Sequence, residues 1–146
     1  MTFIRRRSPR NKYSNNRKAR DFSGRTFDSN LERGVFAHLL LLERAGEIRE
    51  LQHHGFTVYL TEAEIGYRAD YRWINAKTDL MEYGEAKGFE TYDWQIKVKL
   101  WAKYGPGPLT IWRGTEKNFR IDKVIHPSGL RLRCAECGAI VKEEQA

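Results

Sequence analysis

A chain of 146 residues, 40% hydrophobic and 31% charged, is long enough for one domain with its own core, and its two cysteines exclude a disulfide scaffold. The longest apolar run is Leu39–Leu42, far short of a membrane span, and Met1–Arg5 is not followed by the apolar stretch of a secretory signal. A soluble protein of a reducing cytosol is expected, with a formal charge of +7 gathered at one end: residues 1–27 hold nine bases against the single acid Asp21.

Those bases are Arg5, Arg6, Arg7, Arg10, Lys12, Arg17, Lys18, Arg20 and Arg25. Few apolar residues lie among them, so residues 1–26 read as a basic arm, disordered when free, that either binds nucleic-acid phosphates through counterion release, the favoured reading, or is a solubilising tail. A folded core is expected over residues 27–113 and a C-terminal extension over 114–146.

The core opens on a helix. Ser29 followed by Glu32 is a capping-box pattern with Phe27 ahead of it, and the helix is expected to stop at Gly46. At about 100° per residue, Leu31, Val35, Phe36, Leu39, Leu40 and Leu42 fall on one arc. Glu32 sits in the middle of that arc. A carboxylate there either caps its own helix or points at a metal site, and one carboxylate cannot fully satisfy both roles.

Ile48 to Leu60 is expected to be extended, with His53-His54-Gly55 as a bend or bulge and the two histidines on the surface or facing DNA. A hairpin from Tyr67 to Lys87 follows, turning at Ala76–Asp79 with Asn75 facing Leu80. Counting outward sets Asp70 opposite Glu85, and strand alternation puts Lys87 one step along on the face of Glu85. Two opposed carboxylates repel. A divalent cation removes that conflict, since hard oxygen ligands and substrate phosphates are what Mg²⁺ takes.

Tyr92–Tyr104 is expected to be a second helix, started by Thr91 or Asp93 and stopped by Gly105-Pro106, with Leu109–Trp112 as a buried strand after it. On that helix Gln95, Lys99 and Lys103 follow at i, i+4 spacing; with Lys97 they are candidates for the phosphate backbone. A hairpin, a helix and a further strand make an α/β arrangement. Cys134 and Cys137 form half of a zinc site with the other half absent, so two reduced cysteines are the default.

Ser29-Asn30-Leu31-Glu32, Ala69-Asp70-Tyr71 and Glu85-Ala86-Lys87-Gly88, in that order, resemble the PD-(D/E)xK nuclease superfamily. Within it they look like the phage endonuclease I type of Holliday-junction resolvase and a related set of small phage-encoded nucleases. Asn11-Lys12-Tyr13, Phe27-Asp28-Ser29 and Leu42–Ile48 are similar to the phage set too. The likeness covers about Asn11 to Trp112, and its one departure is Ala69 where many members have a proline that is not a ligand.

The resemblance implies a restriction-endonuclease-like α/β core, a mixed sheet flanked by helices. It implies Glu32, Asp70, Glu85 and Lys87 as the catalytic set, a homodimer for paired incisions in branched DNA, and the cytoplasm of an infected bacterial host. In the expected chemistry Mg²⁺, with Mn²⁺ able to replace it, is held by Asp70, Glu85 and the Ala86 carbonyl. Glu32 serves a second metal or a water on it, and Lys87 positions the attacking water. Three readings follow: a junction endonuclease, a nicking or linear-duplex enzyme of the superfamily, or a non-catalytic DNA-binding protein using its arm.

Overall fold

The computed structural model describes residues 19–20, 24–128, 132–133 and 140–141. In chain order the elements are β1 (Ala19–Arg20), β2 (Thr26–Phe27), α1 (Asn30–Arg44), β3 (Ile48–His53), β4 (Val58–Tyr59), β5 (Gly66–Tyr67), β6 (Tyr71–Asn75), β7 (Met81–Ala86), α2 (Tyr92–Tyr104), β8 (Leu109–Gly114), β9 (Phe119–Ile125), β10 (Leu132–Arg133) and β11 (Ile140–Val141). Five strands form a mixed sheet in the order β3-β6-β7-β8-β9. Only β7 and β8 run parallel, and α2 is the crossover that joins them.

The expected signals set α1. Ser29 Oγ accepts the Glu32 N–H at 3.1 Å, a cap worth about 1 kcal/mol. At the other end Gly46 takes φ +76°, its N–H reaches Glu43 O and the Glu47 N–H reaches Leu42 O, which satisfies two terminal carbonyls. Leu31, Val35, Phe36 and Leu39 are buried and pack with Phe27 on the sheet face that carries Tyr71, Trp73 and Trp112. Each such apolar side chain removed from water contributes about 1.5–3 kcal/mol before entropy is counted. The opposite face of the sheet carries Tyr83, Leu109 and Ile111 beneath Trp94 and Trp101 of α2. Thr91 caps α2, accepting the Trp94 N–H, and Gly105 ends it.

The β6–β7 hairpin keeps the expected register. Tyr71 pairs Gly84, Trp73 pairs Glu82, and the Asn75 N–H donates to Leu80 O at 2.9 Å. In the turn, Asn75 Oδ1 accepts from the Lys77 N–H and Asp79 takes φ +60°. Tyr67 stands outside this hairpin, in β5, which pairs with β4 as a separate two-stranded ribbon. Gly84 cannot be larger: a Cβ there would lie 2.5 Å from a Trp112 ring carbon and 2.9 Å from one of Trp73.

Two expectations about extent are corrected. The core does not stop at 113, because β9 pairs with β8 from Leu109↔Ile125 to Gly114↔Phe119. It is an edge strand whose charged residues protect it from pairing further. The arm does not run unbroken to residue 26, because β1 pairs with β2, Ala19 against Phe27. The expected interruption at His53-His54-Gly55 is present as a sharp bend at His54 and Gly55 after β3, and β3 carries a separate bulge between Arg49 and Gln52, where Glu50 takes φ +55°. Arg5, Arg6, Arg7, Arg10, Lys12, Arg17 and Lys18 lie outside the described residues, as do Cys134, Cys137 and the zinc expectation tied to them.

Candidate functional site

The hairpin delivers three of the four expected carboxylate and lysine positions. Asp70 directly precedes β6, and its Oδ2 accepts the Ala86 N–H at 2.8 Å. A residue's N–H and C=O lie on the same edge of a strand, so the Ala86 carbonyl looks toward Asp70 as well. Glu85 is 6% exposed. Its Oε1 lies 3.4 Å from Lys87 Nζ, and its Oε2 is buried with no hydrogen-bond partner among the described residues. Burial, and then the Asp70 charge, push the Glu85 carboxyl up to about 8, against smaller pulls from Lys87 and from the Tyr67 hydroxyl. Without a cation, Glu85 therefore carries a proton at neutral pH. Lys87 Nζ also stands 5.5 Å above the Trp94 ring, and Trp94 Nε1 donates to Tyr67 Oη at 3.0 Å. Burial drives the Tyr67 phenol far upward, so it remains a neutral hydroxyl.

Glu32 arrives from α1 and divides its two oxygens. Oε2 accepts the Asp28 N–H at 3.0 Å, which completes the helix cap one residue earlier than the usual box. Oε1 lies 2.7 Å from His53 Nε2 and 3.0 Å from His54 Nε2. One Glu32 oxygen thus serves the cap and the other faces the two histidines. The Tyr71 hydroxyl donates to the Glu32 carbonyl at 2.6 Å and pins this turn to the sheet.

His53 corrects the expectation of a surface or DNA-facing position, whereas His54 is half-exposed on a cleft. The His53 side chain is 4% exposed and packs against Phe27, Phe36 and Tyr71. His54 spans from Glu32 to Asp70, with Nε2 3.5 Å from Asp70 Oδ1. Its pKa is raised, first by the Asp70 hydrogen bond and also by the Glu32 charge, against an opposing effect of burial. The β3 bulge explains the placement. Ile48 faces α1, and strict alternation would send His53 to the other side of the sheet. One extra residue restores it to the α1 face, opposite Tyr71.

Two clefts open on these groups. One, of about 630 Å³, is lined by Tyr67, Arg68, Glu85, Lys87, Trp94 and Lys97 among others. The second, of about 460 Å³, is lined by Asp28, His54, Arg68 and Asp70 among others. Arg68 borders both, is exposed, and makes no ion pair or hydrogen bond among the described residues.

Of the α2 residues expected to face phosphates, Lys97 alone lines the Glu85 cleft, while Gln95, Lys99 and Lys103 are exposed outside it. Gln95 lies 3.5 Å from Glu90 and Lys103 stacks over Tyr104. Arg25 stacks its guanidinium 5.2 Å from the Phe36 ring centre, against the core, and Arg20 is described only as part of β1. Sequence reasoning missed Arg68, although it stands two residues before Asp70 at strand spacing. It missed Lys123 as well, which reaches across from β9 to within 5.4 Å of the Trp94 ring. No helix among the described residues is long and apolar enough to cross a membrane. No protein-family model, curated protein or solved structure matches the chain.

Proposed function

We propose that this chain is a metal-dependent DNA endonuclease of the PD-(D/E)xK kind, with a restriction-endonuclease-like core, that hydrolyses phosphodiester bonds at DNA junctions. The observation that carries the reading is Glu85 Oε2: a carboxylate oxygen buried without a hydrogen-bond partner among the described residues, in a side chain opposed to Asp70 and next to Lys87. Burying such an atom costs about 1–3 kcal/mol, and a hard cation is the partner that would recover it. Asp70, Glu85 and the Ala86 carbonyl fit Mg²⁺ or Mn²⁺ as an all-oxygen set. A cation held there would neutralise charge on the scissile phosphate and lower the barrier to in-line attack.

The chain's own groups supply the rest. Lys87, held between Glu85 and the Trp94 ring, points its ammonium into the larger cleft, where it orients an attacking water and offsets charge developing on phosphorus. Arg68 and Lys97 border that cleft and suit the non-bridging oxygens of the flanking phosphates. The mixed α/β sheet with one helix layer on each face suits such a core. Paired incision of a four-way junction calls for a homodimer, with the basic arm holding the DNA, in the cytoplasm of an infected bacterial host.

The test is cleavage of a four-way junction and of a linear duplex of matched sequence, in Mg²⁺, by wild type and Asp70→Ala. Junction cutting by wild type and not by the variant supports the reading. Equal cutting of both substrates makes the chain a nicking or linear-duplex nuclease. Binding without cleavage in Mg²⁺ or Mn²⁺ makes it a DNA-binding protein.

A further inference from the structure

Beside the oxygen-lined position lies a cluster of different chemistry. Glu32, His53 and His54 each offer one ligand atom, and these atoms all lie within 4.8 Å of one another. Asp70 Oδ1 stands at its edge, 3.5 Å from His54 Nε2. From these four side chains we infer a second cation site, one for a divalent transition ion of the zinc class. It rests on the proposed function only through Asp70, which the two positions share.

The spacing suits such an ion. Bonds of about 2.0–2.1 Å around a tetrahedral centre separate the ligand atoms by roughly 3.3 Å. The separations from Glu32 to His53, Glu32 to His54 and His54 to Asp70 are 2.7, 3.0 and 3.5 Å, which bracket that edge; Glu32, His53 and His54 form the inner set, and Asp70 completes it from the rim on the His54 side. The ligand types discriminate as well, because imidazole nitrogen favours zinc, iron and copper, whereas carboxylate and carbonyl oxygen favour magnesium.

A plain Glu–His pair explains the cluster less well. The Glu32 Oε1 atom is satisfied by His53 at 2.7 Å, yet a second imidazole is stacked on the first, centroids 3.9 Å apart, and aimed at the same oxygen. His54 reaches that place at φ +56°, a left-handed conformation that a residue with a Cβ seldom adopts. The remaining hydrogen bonds orient the ligands as outer partners of a metal do: the Asp28 N–H holds Glu32 Oε2, and the Ala86 N–H holds Asp70 Oδ2.

The experiment titrates the full-length, metal-stripped protein with Co²⁺, which reports its ligands directly. Wild type should give the visible absorption of a four-coordinate ion and strongly shifted proton NMR signals from two imidazoles. Glu85→Gln should keep both signatures. His54→Gln, at a half-exposed position that leaves the core intact, should bind this Co²⁺ at least tenfold more weakly and lose one imidazole set. His53→Gln should lose the other, and circular dichroism checks that both variants fold. Absence of shifted imidazole signals in wild type at saturating Co²⁺ overturns the inference, as does unchanged Co²⁺ binding by folded His54→Gln. Junction cleavage in Mg²⁺ alone, with no imidazole ligation, would sink this site and spare the nuclease reading. Imidazole ligation without any cleavage would do the reverse.

Discussion

Glu85 gives the most direct handle on the site, because its proton is worth measurable stability. The unfolded carboxyl titrates near 4.5 and the folded one near 8 in the absence of a cation. The folded state therefore holds the proton more tightly, and stability falls as pH rises between those values, by about 1.4 kcal/mol per pH unit. The full contribution is present below pH 4.5 and is lost above pH 8. Across that window the loss is on the order of 5 kcal/mol. The raised pKa of His54 works in the same direction. Glu85→Gln removes the Glu85 part, since the amide is close in shape to the protonated acid and cannot ionise. In EDTA, the variant and wild type should melt together near pH 4.5. At pH 8 the variant should melt higher by on the order of 15 °C, taking roughly 3–4 °C per kcal/mol for a chain of this size. Mg²⁺ should recover wild type at pH 8 and leave the variant unmoved. Because binding displaces one proton, Mg²⁺ affinity should rise about tenfold per pH unit from pH 5 to 8. Thermal melts by circular dichroism and calorimetric Mg²⁺ titrations read both effects. A melting difference between the two proteins that is the same at pH 5 and pH 8 would refute the reasoning.

Asp70→Ala or Glu85→Ala should lower Mg²⁺-dependent cleavage by at least a thousandfold while DNA affinity in EDTA stays within about threefold, since neither change touches the basic arm; filter binding and a gel-based cleavage assay read the two quantities separately. Removing residues 1–18, which leaves the β1–β2 pairing in place, should flatten the salt dependence of DNA binding by about 0.9 in log–log slope for each phosphate no longer neutralised, and an unchanged slope would make the arm a passenger. Gly84→Ala should cost about 1–3 kcal/mol in a urea melt, because its Cβ meets the Trp73 and Trp112 rings inside van der Waals distance.

What could be read from the sequence was what local rules decide. Caps at Ser29 and Thr91 and the stops at Gly46 and Gly105 are interactions within a few residues, so both helices fall where their patterns put them. The turn at Ala76–Asp79 fixes the hairpin, and with it the opposition of Asp70 and Glu85. Non-local or atypical features were hidden. Five of the seven β9 residues are exposed, so its alternation carries almost no burial signal, although it closes the sheet beside β8. The histidines were hidden for a different reason. His53 is 21 residues from Glu32, and only the extra residue in β3 turns it toward α1. Spacing counted without that bulge puts it on the wrong face.

The arrangement of charge explains why the site tolerates its own conflict. Glu32, Asp70 and Glu85 converge from a helix start, a strand entrance and the central strand, and each has one oxygen committed to the scaffold or left inside it. Glu32 gives Oε2 to the Asp28 N–H and Asp70 gives Oδ2 to the Ala86 N–H, so these carboxylates are held in place whether or not a cation is present. Glu85 lacks a backbone donor and takes up a proton instead. The fold thus keeps the geometry in the metal-free state by neutralising one carboxylate and bridging the other two with His54. A cation that took the place of this proton would meet ligands already in position. Little ordering cost then falls on binding. That geometry rests on the two Trp rings over Gly84 and on the Tyr71 hydroxyl under Glu32, groups that lie in the core.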